Sequence, residues 1–92
     1  MKQYIVGNIR KIIFESNSGP FKIGLFKVKE TNDSDCEIYV NKIIGFTGNF
    51  TEINEDVDYI LYGKLYDHPK YGIQYNVDFY ELKAPSDEDG LI

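Results

Sequence analysis

The sequence predicts a small all-β domain, five strands closed into a barrel with no long helix, and three observations carry the prediction. Five apolar, aromatic-rich runs are separated by turn-forming or acidic stretches, and none has the length and periodicity of a long amphipathic helix. Two of the runs switch the parity of their apolar residues midway, at Arg10-Lys11 and near Gly24, as strands do when they bulge or coil around a barrel. The 92 residues include eight Tyr, six Phe and no Trp, a composition suited to a β-rich core. A domain this small buries only about 60–65% of its unfolded surface. Closing the sheet also removes strand edges that a flat one would expose.

The first run, residues 4–14, places Ile5, Gly7 and Ile9 on one face and Ile12 and Phe14 on the other parity. A bulge near Arg10-Lys11 reconciles the two. Asn17-Ser18-Gly19-Pro20 is a turn by composition. In the second run, residues 21–30, the alternation of Phe21, Ile23 and Leu25 gives way to Phe26 and Val28, with Gly24 permitting sharp coiling near the switch. Residues 31–37 are polar and acidic and read as a solvated connection. The third run, residues 39–50, is cleaner, with Ile44, Phe46, Gly48 and Phe50 on one face. Residues 51–58 form a second acidic loop, too poor in apolar residues for a long helix.

Strands four and five form a hairpin over residues 59–81, turning through Asp67-His68-Pro69-Lys70-Tyr71. Burial suggests its register. Pairing Leu65 with Ile73 sets Gly63 opposite Tyr75, Leu61 opposite Val77 and Tyr59 opposite Phe79, a nearly unbroken apolar face with Tyr75 covering the glycine backbone. The opposite face then carries Tyr62, Lys64, Tyr66, Gln74, Asn76 and Asp78. Residues 1–84 are expected to form the barrel and residues 85–92, opening on Pro85, a linker. An OB-type barrel is the leading architecture. The segment between strands three and four, where that fold often carries a helix, has only about eight residues, which keeps an SH3-like barrel or an open sheet as alternatives.

Fifteen acids against ten bases give a net charge of −5, a poor start for a nucleic-acid binder. The acids cluster in the predicted loops and tail, however, while the bases lie mostly within the strands. The single cysteine, Cys36, has no partner for a disulfide, so a reducing cytoplasm is the expected location. No apolar run approaches the ~18 residues of a membrane span and no signal-peptide pattern opens the chain, so no membrane association is expected.

Enzyme signals are absent. There is no G-x-x-x-x-G-K-[ST] phosphate loop, and the one histidine and one cysteine fall in different predicted loops. Asn32-Asp33-Ser34-Asp35 lacks the glycine and closing glutamate of a calcium loop. The remaining signal is the outer face of the hairpin and its tip. Tyr62, Tyr66 and Tyr71 are candidate platforms for unpaired bases, Lys64 and Lys70 candidate phosphate contacts, and His68 and Gln74 candidate hydrogen-bonding groups. Single-stranded DNA is the partner this mixture suits, stacking on one aromatic contributing roughly 1–3 kcal/mol. Alternating Tyr and Lys is also ordinary β-surface chemistry, and Lys22, Lys27 and Lys29 read as a charged strand surface. A protein-docking role suits the acidic loops and aromatic face as well.

Several segments together resemble the N-terminal domain of bacterial RecD-like ATP-dependent DNA helicases, related to the exodeoxyribonuclease V alpha subunit. They are Ile5-Val6-Gly7-Asn8-Ile9 with Ile12-Ile13-Phe14-Glu15, Gly24-Leu25-Phe26-Lys27-Val28 and Phe46-Thr47-Gly48. The most specific are Tyr62-Gly63-Lys64-Leu65, His68-Pro69-Lys70-Tyr71-Gly72 and Gln74-Tyr75. Asp87-Glu88-Asp89-Gly90-Leu91-Ile92 looks like the beginning of the next, helical region of such proteins. The resemblance implies an OB-like accessory domain with no catalytic residues and no cofactor of its own. ATP and magnesium would belong to the parent's motor domains, which are expected partners, as is a further protein.

Overall fold

Alternating apolar residues become five long strands in the computed structural model, which describes residues 2–83. They are β1 (Tyr4–Glu15), β2 (Phe21–Thr31), β3 (Ile43–Asn49), β4 (Asp58–His68) and β5 (Gly72–Lys83). The strand order is β1-β2-β3-β5-β4, closed by pairing of β4 with β1. All pairings are antiparallel except β3 with β5. This is a five-stranded OB barrel.

The β1–β2 register slips between Ile9 and Lys11, where the sequence parity changes, and again between Val6 and Gly7 and between Ile12 and Phe14. Each slip bends the strand, which is how one β1 pairs with β4 at Tyr4–Asn8 yet follows β2 as far as Glu15. Ile5, Ile9, Phe26, Val28, Ile44, Phe46, Leu61 and Tyr75 fill the interior. Phe26, Phe46 and Phe50 continue the packing edge to face, with ring centroids 6.1 and 5.3 Å apart, and Tyr80 stacks on Phe50 at 4.5 Å.

The hairpin register differs from the one expected. Leu65 pairs with Tyr75 and Gly63 with Val77, two residues further along β5 than burial alone suggested. A two-residue slip leaves every side chain on its face, so hydrophobic patterning does not oppose it. Between Tyr62 and Gly63 the ladder then slips by one more residue. Here the two backbones close in so far that a Cβ on Gly63 would overlap the Asn76 carbonyl oxygen, and only glycine fits. Past this bulge the parity inverts. Phe79, expected inside, is 45% exposed, and Tyr80 turns toward the core in its place. Tyr75 still reaches Gly63, donating its hydroxyl to the carbonyl at 3.2 Å.

The connection after β2 is more than a solvated loop. It contains a 3-10 helix, Ser34–Tyr39, so Tyr39 belongs to that helix and β3 begins only at Ile43. Asp33 caps the helix by accepting from the Asp35 amide at 2.9 Å, and it also lies 3.7 Å from the Cys36 thiol. Both Asp33 and Cys36 are buried. Burial, and then the Asp33 carboxylate, push the Cys36 thiol up to about 11. The expected linker, residues 85–92, lies outside the described residues.

Candidate nucleic-acid interface

Strict alternation along β2 turns Gly24, Phe26 and Val28 inward and leaves Phe21, Ile23, Leu25, Lys27 and Lys29 on the outer face. Because the β2–β3 register has no slip, these outer residues align laterally across the sheet. Leu25 sits beside Gly45, Gly45 beside Gln74, and Gln74 beside Tyr66. One row over, Ile23, Thr47, Asn76 and Lys64 are neighbours in the same way, and Thr47 donates to the Asn76 side-chain oxygen at 2.9 Å. The hairpin face singled out in the sequence is therefore one half of a surface spanning β2, β3, β5 and β4.

At one end of this surface the curled end of β1 and the hairpin tip rise on either side and form a groove of about 460 Å³. Ile13 and Phe14 form one wall, Tyr71 and Ile73 the other, and Leu25, Gly45 and Gln74 lie between them. Gly45, having no side chain, keeps the floor low. Phe14 and Tyr71 remain 50% and 66% exposed, and Phe21 packs edge-on against Phe14 at 6.5 Å. These are large aromatic surfaces left to solvent on a domain with little apolar area to spare. Sequence parity alone treats Phe14 and Phe21 as core residues. They stand on the outer face instead: Phe21 follows the alternation of β2, and the slip between Ile12 and Phe14 takes Phe14 off the inward parity of Ile12 and pairs it with Ile23.

The tip is held locally. His68 Nδ1 accepts the backbone N–H groups of Lys70 and Tyr71 at 3.0 and 3.2 Å, and Gly72 closes the turn with a φ of 83°, which suits glycine. The His68 ring lies 4.8 Å from Tyr71 and 5.8 Å from Tyr66, and the Lys70 ammonium lies 5.5 Å over the Tyr71 ring. Of the seven residues proposed from sequence, Tyr66, His68, Lys70, Tyr71 and Gln74 gather here, with Lys64 one row away. Tyr62 does not join them. Beyond the Gly63 bulge it packs on Phe79 at 4.7 Å and Tyr4 at 6.0 Å and donates to Glu81 at 3.2 Å. Lost hydration and the Glu81 carboxylate together raise its hydroxyl pKa.

Cations are sparse but favourably placed. Lys29 is held by Asp58 at 3.0 Å and Lys83 by Glu30 at 3.4 Å, both away from the groove. Lys27 shares the outer face with Leu25, and Lys70 stands at the tip. The surface so described is the β2–β3 face flanked by the β1–β2 and β4–β5 loops, where OB barrels take up oligonucleotides.

Residues 2–85 match the family model described as "ATP-dependent DNA helicase YrrC, OB-fold domain". The chain belongs to this family. No solved structure matches it. Membership accounts for the barrel and its strand order, and a helicase OB-fold domain is non-catalytic by itself. The RecD-like segments quoted above all fall within the matched residues except Asp87-Glu88-Asp89-Gly90-Leu91-Ile92.

Proposed function

We propose that this barrel is the accessory domain of a RecD-like, ATP-dependent 5′–3′ DNA helicase, related to the exodeoxyribonuclease V alpha subunit and working in cytoplasmic DNA recombination and repair. Its part is to hold single-stranded DNA. ATP and magnesium are bound by the motor domains, not by the barrel.

The observation that supports the reading best is the aromatic-walled groove at the end of a continuous four-strand face. An unpaired base entering it stacks on Phe14 or Tyr71, and Gln74 offers both a donor and an acceptor to its edge. Lys27 and Lys70 each neutralise a phosphate as the strand passes, with Tyr66, His68 and Lys64 along its path. Tyr62 takes no part. With so few cations on a chain of net charge −5, stacking supplies more of the affinity than charge does.

Fluorescence anisotropy of labelled single-stranded DNA with the 92-residue chain, at about 50 and 200 mM salt, tests this. The expected result is saturable binding that weakens modestly with salt. Absence of binding at high micromolar protein would leave the alternative, a docking module with no DNA contact of its own. That alternative draws support from a second depression, on the other side of β1.

A further inference from the structure

The pairing that closes the barrel stops short on two strands. Beyond Asn8, β1 has β2 as its single strand neighbour, and beyond Asn76, β5 has only β4. Between these two free edges lies a depression of about 850 Å³, bordered by the β3–β4 connection. This connection is where an OB barrel often carries a helix across its end, and here it contains no helix among the described residues. Ile53 and Val57 pack on the core from it and Asn54 is tied to the Tyr59 hydroxyl at 2.8 Å, so the segment is folded down but does not fill the space.

The walls of the depression have two characters. Ile12, Tyr80 and Leu82 present apolar surface, Leu82 being 62% exposed. The rim carries Glu15, Glu52, Glu55 and Asp56 against a single base, Lys11. An apolar floor inside an acidic rim complements an amphipathic helix whose apolar stripe is flanked by Lys or Arg. It repels a nucleic-acid strand and an acidic peptide alike. Position narrows the source. Leu82 is on the wall and Lys83 is the next residue, so the polypeptide leaves β5 at the edge of the depression. A helix from the same polypeptide reaches it as an intramolecular partner, at an effective concentration set by its tether.

We infer that the uncapped end of the barrel is a docking site for a basic amphipathic helix from the part of the helicase that follows it, a helix that takes the place of the missing β3–β4 helix. The inference rests on the accessory-domain reading and gives the barrel a second face, so that DNA and motor are held on different sides. Asp87-Glu88-Asp89 carry the wrong charge for the rim and are not the docking segment.

Amide hydrogen exchange in the intact helicase, compared with the 92-residue chain alone, tests the inference. Amides of residues 51–57 and 80–82 should exchange at least about tenfold more slowly in the intact protein. Glu52→Lys with Glu55→Lys should abolish that difference while leaving DNA binding by the isolated chain undiminished. Equal exchange in both settings, or protection that survives the charge reversal, would overturn the inference. Strand unwinding by the same preparation reads the functional proposal separately: a polypeptide that unwinds DNA yet shows no added protection defeats the docking helix alone.

Discussion

Truncating Tyr71 to alanine tests the groove most directly. The side chain is two-thirds exposed, and the tip it belongs to is held by His68 through backbone N–H groups that the substitution keeps. Stability should therefore change little. The stacking surface it offers a base corresponds to roughly 1–3 kcal/mol, so single-stranded DNA should bind about 5- to 150-fold more weakly. Phe14→Ala, on the opposite wall, should weaken binding over the same range. Tyr62→Ala, beyond the Gly63 bulge, should leave it unchanged. The salt dependence separates stacking from charge. If Lys27 and Lys70 neutralise two phosphates, log K falls with log salt at a slope near −1.4, about sevenfold between 50 and 200 mM. Tyr71→Ala should keep that slope, and Lys70→Ala should reduce it by about 0.7. Anisotropy titrations at both salts measure all of this. Wild-type affinity in both Tyr71→Ala and Phe14→Ala, with thermal midpoints confirming folded protein, would refute the groove as the binding site.

Three further outcomes are expected. Gly45→Val should raise the groove floor and weaken DNA binding without unfolding the domain, because a Cβ there meets Gln74 Cγ at an ordinary 3.5 Å; equal affinity would mean that the strand does not cross Gly45. Gly63→Ala should destabilise the barrel by about 1–3 kcal/mol in urea titrations, since its Cβ has nowhere to go against the Asn76 carbonyl, and a wild-type midpoint would contradict the bulge. Stability should fall as pH rises from about 9 to 11, because the unfolded Cys36 thiol ionises first while the folded one is held protonated up to about 11. Cys36→Ala should flatten the profile between about 9 and 10, above which the buried Tyr75 hydroxyl, also raised, sustains the fall; a profile unchanged below about 10 would assign the loss there elsewhere.

Much of the barrel was legible because strand parity and burial are local signals. Ile44, Phe46, Gly48 and Phe50 alternate inward as expected, and the parity change at Arg10-Lys11 marks a true slip in register. The hairpin register was not legible, since pairing Leu65 with Ile73 or with Tyr75 buries the same faces. The inversion that exposes Phe79 and turns Tyr80 inward depends on a backbone approach at Gly63, and nothing in the alternation of the sequence announces it. The acidic stretch after β2 misled because Asp33 is buried as a helix cap, a role that its charge conceals.

For the candidate site the division follows the same physical line. The sequence by itself determined the chemistry on offer: aromatic, basic and amide side chains alternating on a hairpin whose tip contains His68-Pro69-Lys70-Tyr71. It also determined that the domain would be small, β-rich and without a catalytic signature. Only the tertiary structure decided which of those residues share a surface. The parallel pairing of β3 with β5 joins Gln74 and Tyr66 to Leu25 and Gly45, residues distant in the sequence, and the bulge at Gly63 removes Tyr62. The slip in register after Ile12 likewise decided that Phe14, apolar and periodic in the sequence, would stand in solvent beside a groove. Periodicity tells each strand which side is apolar, but the strands' lateral order and the points where closure fails arise from long-range pairing, which no local pattern encodes.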